Sequence, residues 1–306
     1  MNPEACLPPE LAGATITKIA MGQSGAGVYR VESNGTTYVL KISSANDLAT
    51  ASFETKLAMQ TAASSVGIAP RVIHVDHERH AVLSEMVPDK NFMMLWGNPA
   101  TRERALQMIA STLSRLHALP IPPDAKMAPR RAMSSHLRDA VKRFTIPAWA
   151  REVIDSTFAL EPPPDESRVL SHNDVNPTNF RFDGERLVLI DWDTVGPNDR
   201  YYDLASMAMW LRMDDATCLA LLSAHDGTAV AELPARFVHD RKFVAAMCGT
   251  GFLYAAKTAG HPGDSTTERI ALGDLYAKLR AGQLDVSSLD GRWMFAMGLL
   301  DEASRL

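Results

Sequence analysis

At Pro88 the hydrophobic pattern of the chain changes period, and that change limits its fold more than any other feature. Upstream, short runs bounded by turn residues alternate apolar and polar side chains, first over 14–21, then over 27–33 and 36–43. The last two runs are joined by Asn34-Gly35, a pair that tolerates two successive positive φ angles and so predicts a two-residue hairpin within a β-meander. Residues 48–66 instead carry apolar side chains at helical spacing and stop at Gly67, and two more strand-like runs follow over 71–76 and 80–86. Downstream of Pro88 long helical segments dominate. The clearest is 101–119, with Leu106, Ile109, Ala110, Leu113 and Leu116 on one face. A short β island over 169–171, 179–182 and 187–190 interrupts them, and helices are expected again over 217–224, 236–259, 266–281 and 291–304. The expected class is α+β, with a β-rich part over 1–87 and a mainly helical part over 88–306. Two proline-rich stretches, 120–123 and 162–164, read as loops, and there is neither an internal repeat nor a low-complexity tract.

Composition narrows the class of partner. With 46% hydrophobic residues, 22% charged residues and a net charge of -5 over 306 residues, the chain has an ordinary globular profile without the basic excess that nucleic-acid backbones require. A local basic pocket for phosphates remains allowed. Cys6, Cys218 and Cys248 are odd in number and widely separated, so they suggest neither a disulfide framework nor a thiolate zinc site, and read as buried apolar thiols. The N-terminus has no basic region followed by an apolar run, and no uncharged stretch is long enough to span a bilayer. A cytoplasmic protein with a small-molecule partner is expected, with no membrane, no nucleic acid, and a homodimer allowed.

The segment 169–182 holds an apolar strand, a polar loop and a second strand, which concentrates polar groups between buried ones. Inside the loop, Asp174 and Asn179 stand five residues apart. That is the spacing at which a kinase catalytic loop places a carboxylate that receives a hydroxyl proton and an amide oxygen that binds a metal ion. A turn capped by Asp and Asn would read the same way. Twelve residues after Asn179, Leu187-Val-Leu-Ile-Asp-Trp-Asp193 ends an apolar strand in two carboxylates. Asp191 stands where a Mg²⁺-bridging aspartate would. Asp193, two residues on, projects to the same side if the strand continues, toward metal or substrate; the alternative is a solvated strand end.

Upstream, Gly22-Gln-Ser24-Gly25-Ala-Gly27 sets three glycines between two strands, where exposed backbone N–H groups can lie over phosphates, or can simply turn a hairpin. No Gly-Lys-Ser/Thr follows, and no helix begins here, which excludes the Walker and dinucleotide patterns. Lys41 lies inside the apolar strand Val39-Leu-Lys-Ile42, where an ammonium must snorkel to water or pair with an anion. The kinase reading gives it the α/β-phosphates and a helix glutamate, for which Glu54 is the candidate.

These pieces follow the kinase order, and the chain resembles the aminoglycoside phosphotransferase and choline kinase superfamily over about 22–210. The loop reads His172-Asn173-Asp174 where protein kinases have His-Arg-Asp, Ile190-Asp-Trp-Asp193 replaces Asp-Phe-Gly, and no Ala-Pro-Glu segment follows. Asp191-Trp-Asp-x-x-Gly-x-Asn198-Asp-x-x-x-Asp203-Leu-Ala is most similar to bacterial choline and ethanolamine kinase relatives. The resemblance implies a protein-kinase-like bilobal fold and an ATP- and Mg²⁺-dependent phosphotransferase acting on a hydroxyl. It implies that His172 orients the loop, that Asp203 buttresses it, and that adenine binds the backbone of Ser84, Glu85, Met86 and Val87. The acceptor implied is a choline- or ethanolamine-like amino alcohol, with an aminoglycoside, thiamine or homoserine as alternatives. Tyr202 and Trp210 are aromatic candidates for its ammonium. The stretch 205–210 carries no acid, and Thr194 and Asp199 stand where that family often has an aromatic. The rivals from other classes are a pseudokinase-like nucleotide-binding module and a nucleotide-independent metal hydrolase.

Overall fold

A computed structural model of the protein describes residues 2–19, 27–43, 51–127, 129–163 and 167–306. The chain divides into two compact units, one of Met1–Met127, Arg168–Asn198 and Ala224–Thr228, the other of Ala128–Ser167, Asp199–Ser223 and Ala229–Leu306.

The first unit is built on an antiparallel sheet of β1 (Thr15–Lys18), β2 (Gly27–Ser33), β3 (Thr36–Ile42), β4 (Val72–Asp76) and β5 (Ala81–Glu85), in the order β1-β2-β3-β5-β4. Asn34 and Gly35 take φ of 51° and 75°, so β2 and β3 meet in the expected hairpin with Ser33 opposite Thr36. Leu40 and Ile42 belong to an apolar core with Cys6, Leu11, Val31, Ala81 and Leu83. The two-residue period of the strand therefore turns Lys41, between them, to the opposite face.

Helix α1 (Phe53–Ser65) starts where the Ser52 hydroxyl accepts from the Thr55 N–H at 3.1 Å. It ends in a left-handed cap at Gly67, φ 74°, in which the Gly67 N–H bonds the Ser64 carbonyl at 2.9 Å and the Ile68 N–H bonds that of Ala63 at 3.0 Å. Helices α2 (Phe92–Gly97) and α3 (Pro99–His117) follow, and α3 buries the expected face of Leu106, Ile109, Ala110, Leu113 and Leu116. The β island contributes β6 (Arg168–Ser171), β7 (Phe180–Phe182) and β8 (Leu187–Leu189). β7 pairs with β8, and β6 pairs with a strand the sequence did not suggest, β9 (Gly196–Asp199). Gly, Pro, Asn and Asp all disfavour strands, yet each residue of β9 is buried, and pairing with β6 overrides local preference.

The second unit is helical. It takes in α4 (Arg130–Val141), α5 (Ala148–Ala159), α6 (Arg200–Trp210), most of α7 (Asp215–Asp226), α8 (Ala235–Thr258), α9 (Leu272–Arg280) and α10 (Leu289–Arg305). Val141, Ile154, Ala245, Leu253, Leu299 and Leu300 lie in its core. The helix expected from 266 begins only at Leu272, because the Asp264 carboxylate binds the Thr266 N–H at 2.7 Å and the hydroxyls of Thr266 and Thr267, fixing a turn there instead. Cys6 and Cys218 are buried and Cys248 is half-buried, all as free thiols. Among the described residues no helix is long and apolar enough to cross a membrane.

Candidate active site

Within the first unit, β3 and the end of β8 bring opposite charges together. The Lys41 ammonium lies 2.5 Å from Asp191 Oδ1 and 2.7 Å from Asp193 Oδ2. Asp191 is held from both sides of the chain. The Leu189 N–H donates to the Ile68 carbonyl at 2.8 Å, which ties β8 to the end of α1, and the Ile190 N–H donates to the Asn179 carbonyl at 2.9 Å. Asp191 itself is left-handed, φ 66°, a conformation Asp tolerates better than most residues and one that recurs at functional sites.

The loop after β6 presents Asp174 beside that pair. Asn179 is buried, and its Nδ2 donates to Asp174 Oδ2 at 2.8 Å and to the Asp174 carbonyl at 2.9 Å. Asn176 Nδ2 donates to Asp174 Oδ1 at 3.2 Å. Because the Asn179 amino group is committed to Asp174, its amide oxygen is directed away from that carboxylate. Completely buried His172 places Nε2 3.0 Å from the Ile190 carbonyl, which joins the loop to the strand end carrying Asp191.

Burial and charge set the ionisation of these groups. Asp174 reaches solvent, but the protein packed around it withdraws bulk water and holds its carboxyl above the ordinary aspartate value; nearby Asp191 adds to the rise, while His172 and the amides of Asn179 and Asn176 oppose it. Burial also acts to raise Asp191, but the Lys41 ammonium outweighs it and the carboxyl lies below its usual value. Lys41 shows the reciprocal balance: burial pulls it down, Asp191 and Asp193 outweigh that, and it stays charged well past neutrality. The oxygens of Asn179 and Asp191 are hard donors that suit Mg²⁺. Among the described residues no group of three or more His, Cys, Asp or Glu is arranged to hold a metal ion.

The other expected site residues are distributed unevenly. Glu54 does not meet Lys41. The buried face of α1 is Thr55, Met59 and Ala63, which leaves Glu54 exposed, with its carboxylate 2.8 Å from His77 Nδ1. Gly22, Ser24 and Gly25 lie outside the described residues, and Gly27 opens β2. Ser84 and Glu85 end β5, with the Ser84 hydroxyl 3.4 Å from Gln60 Nε2. The N–H groups of Glu85 and Met86 are spent on the carbonyls of Arg71 (2.9 Å) and Thr37 (3.3 Å), whereas the Val87 N–H has no partner among the described residues. Asp203, Tyr202 and Trp210 lie on α6 in the second unit. Asp203 is buried, the Arg130 guanidinium covers the Tyr202 ring at 3.9 Å, and Trp210 stacks on Phe295 at 6.2 Å. Two residues that stand in the quoted motifs received no role from the sequence: Asn173, left-handed with φ 66°, and Asn198, 1% exposed, whose side chains bond each other. The available signal was their position, Asn173 directly before Asp174 and Asn198 within the motif that runs from Asp191 to Asp203.

Comparison with solved structures finds this arrangement of elements elsewhere. A choline/ethanolamine kinase family protein from Mesorhizobium loti is similar at 18% identity and a TM-score of 0.56, covering 97% of this chain and 96% of that one. The choline kinase of Streptococcus pneumoniae is similar at 16% identity and a TM-score of 0.61, with 90% and 94% covered. A spectinomycin phosphotransferase in complex with ADP and spectinomycin reaches a TM-score of 0.62 at 13% identity, with 95% and 92% covered. At these identities the likeness is one of fold, a kinase-like α+β architecture. No curated protein sequence matches significantly. Residues 15–237, well over half of the chain, match the profile described as the phosphotransferase enzyme family (APH), and the chain belongs to that family.

Proposed function

We propose that the protein is an ATP- and Mg²⁺-dependent kinase that phosphorylates the hydroxyl of a small amino alcohol of the choline and ethanolamine class. The observation that supports it best is the meeting of Lys41, Asp191 and Asp193 with the Asp174–Asn179 pair within one compact unit. Bound ATP with Mg²⁺ would supply the γ-phosphoryl group and neutralise the charge that develops during its transfer. In this reading residues 1–87 grip the nucleotide. The glycine-rich segment from Gly22 to Gly27 is assigned to its phosphates on sequence grounds, Lys41 carries the positive charge, and the unspent Val87 N–H is the donor for adenine. Residues 88–306 supply the chemistry and the acceptor site. Asn179 and Asp191 hold the metal, and Asp174 orients the acceptor hydroxyl and takes its proton, so that catalysis is mainly positioning and charge stabilisation. His172 supports the loop, and Asp203 is assigned a supporting role in the helical part. Asp193 serves Lys41 before substrate, and Trp210, rather than the Arg130-capped Tyr202, is the aromatic offered to an ammonium group.

An antibiotic acceptor is the second reading, favoured by the spectinomycin phosphotransferase, whose TM-score of 0.62 stands beside the 0.61 of the choline kinase. An ATP-consumption screen over choline, ethanolamine, thiamine, homoserine and aminoglycosides separates them. ADP formation with choline or ethanolamine, lost in Asp174→Asn, is the expected result. Turnover with an aminoglycoside alone would replace the acceptor, and full activity in Asp174→Asn would remove the base.

A further inference from the structure

We propose that Asn198 is a positioning residue for phosphotransfer: through the side chain of Asn173 it fixes the Asp174 loop against the segment that carries Asp191 and Asp193. The proposal rests on the role given to Asp174 above. Asn173 lies between His172 and Asp174 with a left-handed backbone, φ 66°, which Asn adopts more readily than most residues and which side-chain bonds can hold in one place. Those bonds are present. Asn173 Nδ2 donates to the carbonyls of Thr194 at 2.8 Å and Gly196 at 3.3 Å, and the Thr194 hydroxyl donates back to the His172 carbonyl at 2.9 Å. Asn198 Nδ2, on β9, donates to Asn173 Oδ1 at 2.5 Å.

Carbonyl oxygens only accept, so the Asn173 amino group must face Thr194 and Gly196, its oxygen must face Asn198, and Asn198 must present its own amino group. Neither amide can flip without setting acceptor against acceptor. The brace thus spans from the residue before the base to the residues directly after Asp193, and a displacement of the base on the order of 1 Å is worth about 10²-fold in rate.

Asn198→Asp keeps the shape and replaces the donor with an acceptor, except when the introduced carboxyl is protonated. The test measures kcat and the KM for ATP across the acid and neutral range for wild type, Asn198→Asp, Asn173→Gly and the double variant. Expected are a kcat lower by about 10²-fold with little change in KM, and a ratio of Asn198→Asp to wild type that recovers as pH falls. In Asn173→Gly, which keeps the left-handed backbone without the brace, the loss should be similar and independent of pH, and the double variant should lose no more. A loss without acid recovery, or wild-type kcat in Asn173→Gly, overturns the proposal. Amide hydrogen exchange over 172–179 decides it without an acceptor: faster exchange in Asn173→Gly is expected, and unchanged exchange overturns the brace. Failure of the kinase reading looks different: wild type then phosphorylates no alcohol, or Asp174→Asn remains active.

Discussion

Asp174 and Lys41 owe their chemistry to opposite outcomes of the same competition between burial and nearby charge. For Asp174 burial prevails, so in the folded chain the proton stays on to a higher pH than the ordinary value of about 3.9. In the role of base proposed above Asp174 works only ionised, so kcat/KM should fall on acidification through a pH above that value and level off above it, with the acid limb absent from any residual activity of Asp174→Asn. An acid limb at or below the ordinary aspartate value would contradict the environment described. For Lys41 the carboxylates prevail. Lys41→Met leaves Asp191 and Asp193 without their cation, and kcat/KM for ATP should drop by roughly 10²-fold or more. Lys41→Arg should not restore it, because a planar guanidinium does not replace a compact ammonium held between two carboxylates. Steady-state kinetics with varied ATP checks both variants.

Among the elements, those whose identity is local were legible in the sequence. The Asn34-Gly35 hairpin, the apolar face of α3 and the stop of α1 at Gly67 follow from turn chemistry and period alone. Gly67 also meets a spatial constraint: an added Cβ would lie 3.1 Å from Arg186 Nη1, on a backbone whose positive φ strains any L side chain. Gly67→Ala should therefore cost about 1 kcal/mol, read as a lower urea midpoint with an unchanged slope. An unchanged midpoint would show that the cap does not hold the end of α1. Strand β9 was illegible because each of its residue types argues against a strand, and only pairing with β6 makes it one. The delayed start of α9 was illegible for a related reason, since the turn bonds made by Asp264 outcompete a helical period that is present in the sequence.

For the molecule as a whole, stability depends on two units that are discontinuous in sequence. Leu300, fully buried where α10 packs on α8, stands for the helical core, and Leu300→Ala should cost about 2–5 kcal/mol. Equilibrium denaturation checks this, and a loss below about 1 kcal/mol would mean that the site collapses around the missing side chain. The sequence by itself determined the change from sheet to helix, the turn chemistry and the order of the Lys41, Asp174, Asn179 and Asp191 motifs, because each depends on residues a few positions apart. Which groups share a site was decided only by the tertiary structure. It paired Lys41 with a carboxylate 150 residues away rather than with Glu54, which α1 turns to solvent, and it joined Asn173 to Asn198. An ion pair or an amide bridge depends on separation in space, and a sequence records only separation along the chain.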